Sequence, residues 1–96
     1  MQKVQRSAGR GDQDVDAVLR GLLVEVLGLP ASRVARFDRN TALFGALPEF
    51  DSMAVATLLT GLEERLHILI EDDDVEAEDF MSFGRLRAFA ERKVLG

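Results

Sequence analysis

Apolar residues in this chain recur at the spacing of an α-helix, and no segment shows the alternation that is typical of a β-strand. The pattern is clearest near the N-terminus, where apolar residues follow at intervals of four, three and four positions: Val15, Leu19, Leu22 and Val26. Gly28 and Pro30 end the pattern, because glycine favours the left-handed backbone after a helix and proline cannot continue one. A first helix is therefore predicted at residues 13–27, with Asp12 or Asp14 as its N-cap.

Later segments carry the same helical period. A second helix is predicted at residues 52–66, where an apolar stripe faces the core: Val55, Leu58, Leu59, Leu62 and Leu66. A short helix at 75–80, capped by Asp74, and a last helix at 83–94, capped by Ser82, complete the set. The last helix turns these apolar residues inward: Phe83, Leu86, Phe89 or Ala90, and Val94. The predicted fold class is all-α, a small three-to-four-helix bundle.

A long loop, residues 29–51, separates the first two predicted helices. Connections of this length are uncommon unless they have a function. Several apolar residues predict that the loop packs across the helix ends: Val34, Phe37, Leu43, Phe44 and Leu47. A single helical turn is predicted at 42–44, and Gly45 and Pro48 break the chain before the second helix.

Charge and composition narrow the possible partners. The formal net charge is −5, and its distribution is uneven: residues 1–39 carry seven Lys or Arg against five Asp or Glu, and residues 40–96 carry five against twelve. This balance argues against nucleic acid or anionic lipid and favours a partner with a basic surface. No apolar run is long enough to span a membrane, so no membrane insertion is expected. Residues 1–11 are expected to form a flexible tail, and the protein is expected to be a cytoplasmic monomer.

The sequence offers little for catalysis or metal binding. There is no cysteine, His67 is the only histidine, and no G-x-S-x-G motif is present, which argues against a hydrolase. The acidic run that starts at Glu71 fails as a calcium loop, because Ala77 and Phe83 stand where an EF-hand needs glycine and glutamate. No metal site is predicted, and we do not expect an enzyme.

The stretch 47–53 holds an Asp-Ser pair where the loop meets the second helix. A serine at this position usually caps the helix, and Asp51 is an alternative cap. The surroundings suggest a second role: Met53 follows the pair, and an acidic segment with a Glu-Asp-Phe pattern at 78–80 follows the helix. On these residues the sequence resembles the acyl carrier protein family over about residues 13–94. The family's Asp-Ser-Leu attachment motif stands here as Asp51-Ser52-Met53.

The resemblance implies that residues 12–96 form a free-standing acyl carrier domain. It implies that Ser52 carries 4′-phosphopantetheine, which a separate Mg²⁺-dependent phosphopantetheinyl transferase takes from coenzyme A. Acyl groups would ride on the terminal thiol as thioesters and pass between enzymes of fatty acid, polyketide or related specialised lipid biosynthesis. Two alternatives stay open: a peptidyl or aminoacyl carrier with the same arm, and an unmodified helical adaptor that binds partners through its acidic face.

The same resemblance assigns two further sets of residues. One set would dock acyl-loading and acyl-transferring enzymes that carry basic surfaces: Asp51, Met53, Glu63, Glu64, Asp72 and Glu76. The other set would line a cavity that shelters the acyl chain: Leu58, Leu62, Leu66, Ile70 and Phe80. Gly61, inside the second helix, has two possible roles: it weakens the helix so that the bundle opens, or it allows close helix packing.

Overall fold

The structure, a computed structural model, describes residues 11–95, with side chains from residue 15 onward. It contains the helices α1 (Gly11–Leu27), α2 (Ala31–Val34), α3 (Ser52–Leu66) and α4 (Phe83–Leu95). Two 3₁₀ turns, Asp72–Asp74 and Ala77–Phe80, lie between α3 and α4. No β-strand occurs among these residues, and the predicted all-α bundle is confirmed.

The ends of the predicted helices agree with the structure where the local signal is strong. Helix α3 spans residues 52–66 as predicted, and Ser82 caps α4, because its Oγ accepts a hydrogen bond from the Arg85 amide at 3.2 Å. Helix α1, however, already includes Gly11, so Asp12 and Asp14 lie inside the helix, and their prediction as N-cap is wrong. The flexible tail predicted at 1–11 lies outside the described residues except for residue 11, which is helical.

The long loop differs from its prediction in two places. It contains the short helix α2, which was not predicted. The helical turn predicted at 42–44 lies two residues later, at 44–46, where the amides of Ala46 and Leu47 both donate to the Leu43 carbonyl oxygen at 3.0 and 2.9 Å. Residues 42–44 instead pair with the chain in front of α4. The amides of Leu43 and Phe44 donate to the carbonyl oxygens of Met81 and Phe80 at 3.0 and 2.9 Å. These hydrogen bonds fix the loop against the segment that leads into α4.

Arg20, on α1, fastens the first part of the loop. Its guanidinium donates to the carbonyl oxygens of Val34 and Phe37 at 2.8 and 3.1 Å and to Asp16 Oδ2 at 2.9 Å. The same group lies 4.5 Å from the centre of the Phe83 ring on α4. One side chain therefore joins α1, the loop and α4.

The core lies between α1, α3 and α4. Its most deeply buried side chains come from all three helices and from the loop: Leu19, Leu23, Leu43, Leu58, Leu62, Leu86 and Phe89. A Cβ atom at Gly61 would lie 2.6 Å from Leu22 Cδ2, so the structure favours the close packing of α1 and α3 as the role of this glycine. The prediction that Val94 faces inward is wrong, since Val94 is 37% exposed, whereas Phe89 and Ala90 are both buried.

The segment after α3 also corrects a prediction. The helix predicted at 75–80 is a 3₁₀ turn that begins at Ala77, and Glu76 rather than Asp74 precedes it as the cap residue. Asp74 instead ends the first 3₁₀ turn, where its carboxylate accepts hydrogen bonds from Lys93 Nζ at 2.8 Å and the Glu71 amide at 2.9 Å. No helix within residues 11–95 is long and apolar enough to cross a membrane.

Candidate functional site

The first turn of α3 resolves which residue of the Asp-Ser pair caps the helix. Asp51 has an extended backbone, and its Oδ1 accepts a hydrogen bond from the Ala54 amide at 2.9 Å. Asp51 is therefore the N-cap. Ser52 is the first residue of the helix, it is exposed, and its hydroxyl makes no hydrogen bond to the part of the chain that the structure describes.

The chain just before Ser52 is anchored although Ser52 itself is exposed. Phe50 is buried, and its ring makes edge-to-face contacts with the rings of Phe44 and Phe80, with centroids 6.0 and 6.2 Å away. Such contacts stabilise by about 0.5–1.5 kcal/mol each beyond the burial of area. The three rings join the long loop to the second 3₁₀ turn beneath the start of α3. The serine therefore stands on a fixed backbone.

The start of α3 is suited to an anionic group. The amides of Ser52 and Met53 donate no hydrogen bond to any residue in the described range, as expected for the first turn of a helix. These free amides and the positive end of the helix dipole favour negative charge. A phosphodiester on Ser52 Oγ would lie close to the free amides and to the positive end of the dipole, so the residues present fit such a group.

A small apolar cleft opens beside Ser52. Its volume is about 230 Å³, and its walls combine Ser52 with apolar side chains from the loop, α3 and the second 3₁₀ turn: Phe44, Val55, Ala77 and Phe80. Of the five residues assigned to an acyl cavity from the sequence, only Phe80 lines this cleft. Leu58 and Leu62 are fully buried in the core, and Leu66 and Ile70 are half-buried. The hydrophobic contacts of Phe44 and Val55 next to the serine were not predicted.

The six residues assigned to docking lie on two sides of α3. Asp51, Met53 and Glu64 line a larger groove of about 580 Å³ between α1 and α3. Glu63 does not line it: this side chain is half-buried, and its Oε2 accepts a hydrogen bond from the Ile70 amide at 2.8 Å. Asp72 and Glu76 are exposed on the segment that holds the 3₁₀ turns. The groove also contains Glu49, which the sequence did not single out.

The titration of one acidic residue is perturbed. Its hydrogen bond to the Lys93 ammonium, followed by that from the Glu71 amide, lowers the pKa of Asp74 from its ordinary value. This carboxylate is therefore engaged within the fold rather than available to a partner. Within the described residues, no three His, Asp or Glu side chains come together in a way that could hold a metal ion.

Comparisons with known proteins agree with this geometry. A family model described as a phosphopantetheine attachment site matches residues 17–92. The structure is similar to the solution NMR structure of a holo acyl carrier protein from Nitrosomonas europaea, with a TM-score of 0.76 and 36% identity over 88% of this chain and 99% of the other. The chain belongs to the acyl carrier protein family. A search among curated proteins found no match.

Family membership determines the general role of the protein. It is a carrier protein, and its cofactor is a covalently attached phosphopantetheine. Members of such carrier families are generally not enzymes, and they interact with the enzymes that modify them and handle their acyl groups.

Proposed function

We propose that Ser52 is the residue that carries 4′-phosphopantetheine and that the protein presents acyl groups to enzymes of fatty acid, polyketide or related lipid biosynthesis. The observation that supports this most is that the two residues of the Asp-Ser pair have different roles. Because Asp51 caps α3, the Ser52 hydroxyl is exposed and makes no hydrogen bond within residues 11–95. A phosphopantetheinyl transferase can therefore reach it without breaking a structural contact.

Backbone amides and the helix cap would hold the phosphate end of the arm. The amides of Ser52 and Met53 would face the phosphate, and Asp51 would keep the first turn of α3 in place. When bound, the arm supplies a terminal thiol on which acyl groups are carried as thioesters. Under this proposal the carrier works in the cytoplasm, beside the coenzyme A that supplies the arm.

The apolar cleft favours an acyl cargo over an aminoacyl one. Phe44, Val55, Ala77 and Phe80 offer no polar side chain for an ammonium group, whereas a hydrocarbon chain gains about 0.8 kcal/mol for each CH₂ that it buries. A longer chain would pass beyond Phe80 towards the remaining residues of the predicted cavity: Leu58, Leu62, Leu66 and Ile70. Leu58 and Leu62 would then have to shift, because they are fully buried in the core.

The attachment site is tested by intact-protein mass before and after incubation with coenzyme A, Mg²⁺ and a broad-specificity phosphopantetheinyl transferase. We expect wild type to gain one phosphopantetheine and Ser52→Ala to gain none. Ser32→Ala is the matched control, since Ser32 is also an exposed serine in the first turn of a helix, and it should be modified like wild type. If no transferase modifies wild type, the helical adaptor becomes the better account.

The choice of cargo is tested on the loaded carrier. We expect a medium-length fatty acyl group to raise the melting temperature relative to the holo form, because the cleft buries part of the chain. An alanyl group should leave it unchanged. Phe80→Ser, which makes the wall of the cleft polar, should reduce the acyl effect. Equal effects of the two cargoes on wild type would contradict an acyl-specific cleft and favour the aminoacyl alternative.

A further inference from the structure

A cluster of arginines surrounds the start of α4. The loop segment 31–39 contacts this end of the helix: the Phe37 ring lies 6.2 Å from the Phe83 ring, and the Gly84 amide donates to the Arg39 carbonyl oxygen at 3.0 Å. The segment and the first turn of α4 together carry four exposed arginines, which we call the arginine patch: Arg33, Arg36, Arg39 and Arg85.

The backbone beneath the patch is held in place. The amide of Arg36 donates to the Arg33 carbonyl oxygen at 3.1 Å, which continues α2 as a 3₁₀-type turn. Residues three positions apart in such a turn lie on the same face, so these two arginines share a face. Arg39 lies directly against α4, because a Cβ atom at Gly84 would be 2.8 Å from the Arg39 Cβ. The hydrogen bonds of Arg20 fasten the same segment to α1.

The fold does not neutralise the positive charge of the patch. None of its four guanidinium groups forms an ion pair with any residue from 15 to 95. Every other Lys or Arg side chain in that range lies within 4.0 Å of a carboxylate oxygen: Arg20, Arg65, Arg87, Arg92 and Lys93. The segment contains one carboxylate, Asp38, whose Oδ1 accepts a hydrogen bond from the Asn40 amide at 2.8 Å. A chain with a formal net charge of −5 therefore keeps one localised positive surface.

The patch and the groove lie on opposite sides of α1. Arg20 marks the side that faces the loop segment and Phe83. At about 100° per residue, the groove residues Leu22 and Val26 lie roughly 120–160° away from Arg20 around the helix. A protein seated on the patch would therefore not cover the groove, whose walls include both sequence neighbours of Ser52.

The chemistry of the patch favours carboxylates on a protein over the phosphates of a nucleic acid or a lipid surface. A helix N-terminus attracts phosphate through free amides, but the amides of Phe83 and Gly84 already donate to carbonyl oxygens of the loop. Binding is therefore left to the guanidinium groups, which pair with carboxylates through two parallel hydrogen bonds. The net charge of −5 also opposes approach to a highly charged polymer or bilayer, whereas an acidic protein surface can be as small as the patch.

We infer that the arginine patch is a second docking surface, which binds a protein through exposed Asp and Glu side chains of that protein. The contact is made between exposed charges, so it is weak and sensitive to salt. A carrier held in this way stays attached to the acidic protein while its groove remains accessible to another one. The inference does not depend on attachment of the arm at Ser52.

The test uses a fluorescent peptide of alternating glutamate and glycine, whose anisotropy is followed as carrier is added at low ionic strength. The double variant Arg33→Gln/Arg36→Gln removes two charges from the patch. Its matched control, Arg65→Gln/Arg92→Gln, removes two charges from exposed arginines elsewhere and so has the same net charge. We expect the patch variant to bind the peptide about three- to tenfold more weakly than wild type, and the control to stay within about twofold of it. Added salt should weaken binding to wild type.

Two further measurements separate the patch from folding and from the arm. Both double variants should unfold cooperatively in urea, because all four arginines are exposed and none is part of the core. Ser52→Ala should bind the peptide like wild type. A loss of peptide binding in Ser52→Ala would contradict a docking surface that is separate from the attachment serine.

Each other outcome overturns the inference in a recognisable way. If wild type does not bind the peptide, or if the control variant loses as much binding as the patch variant, the patch is not a docking surface. Stronger binding to anionic phospholipid vesicles or to a DNA duplex, lost in the patch variant, would make phosphate the ligand instead of a protein carboxylate. Self-association of the carrier in sedimentation, abolished by the patch variant, would make a second copy of this chain the occupant. The mass measurement on Ser52 is independent of all these results, so the two proposals fail separately.

Discussion

Replacing Arg20 by lysine should destabilise the protein although the charge is kept. The guanidinium donates two hydrogen bonds to the carbonyl oxygens of Val34 and Phe37, and it lies over the Phe83 ring. A lysine ammonium has the charge but not the planar fork, so it cannot reach both carbonyls and the ring at once.

The expected loss follows from the contacts that lysine gives up. A hydrogen bond to a charged group contributes about 1.5–3 kcal/mol, and the cation–π contact contributes about 0.5–1 kcal/mol at partly exposed sites. Arg20 is 26% exposed, so these values apply only in part. Lysine retains the ion pair with Asp16 and one carbonyl contact. We therefore expect Arg20→Lys to lower the free energy of unfolding by about 1.5–3 kcal/mol.

Equilibrium unfolding in urea measures this loss as a shift of the midpoint at constant slope. Arg33→Lys is the matched control, because Arg33 is exposed on α2 and donates no side-chain hydrogen bond within the described chain; it should stay within about 0.5 kcal/mol of wild type. A value for Arg20→Lys within that same range would refute the role of Arg20 as a clamp on the loop. An equal loss in both variants would mean that any arginine-to-lysine change destabilises this protein.

Three further predictions concern stability. Gly84→Ala should lower the free energy of unfolding by about 1–3 kcal/mol, because the added Cβ would lie 2.6 Å from a backbone oxygen of the loop. Gly21→Ala has free space for its Cβ and should raise the free energy of unfolding by up to about 1 kcal/mol. Urea unfolding measures both changes. His67→Gly should raise the free energy of unfolding by about 0.5–1 kcal/mol, because His67 has a left-handed backbone with φ of 57°, which glycine adopts without strain. A lower free energy of unfolding would contradict this explanation. Asp74→Asn should destabilise at pH 7. The pKa of Asp74 is lowered in the fold, chiefly by Lys93, so its contribution is present above the ordinary value of 3.8 and is lost as pH falls through the lowered pKa. The gap between variant and wild type should therefore close in acid, and a gap that is independent of pH would contradict the coupling.

The helices were predictable from the sequence because their signals are local. Both ends of α3 were correct, since the apolar stripe runs without interruption from Val55 to Leu66 and the Asp-Ser pair marks its start. The start of α1 was not predictable in the same way. Two acidic residues, each suitable as a cap, follow Gly11, and the helix includes them instead of beginning after them.

The loop could not be derived in the same manner. The helical turn was predicted two residues too early, at 42–44, because each position was judged from its neighbours, whereas the amides of Leu43 and Phe44 bond to a segment almost forty positions later. Arg20 gave no signal at all, since an arginine on a helix surface usually faces solvent. Its partners are carbonyl oxygens, which leave no mark in a sequence. Gly61 gave a signal, and the structure was needed to choose between its two roles.

Under the proposal that Ser52 carries the arm, the arrangement at the start of α3 separates modification from stability. An N-cap that is lost costs a helix about 0.5–2 kcal/mol, which is a large share of the stability of a small domain. If Ser52 were the cap, attachment of the arm would change the hydrogen bonding of the very oxygen that holds the helix end. Because Asp51 supplies that hydrogen bond instead, the Ser52 oxygen can carry a substituent while the first turn of α3 keeps its cap. For the same reason, Ser52→Ala should unfold within about 0.5 kcal/mol of wild type, whereas Asp51→Ala should lose about 1 kcal/mol even though it leaves the serine in place. The reverse order in urea unfolding would make Ser52 the structural residue of the pair.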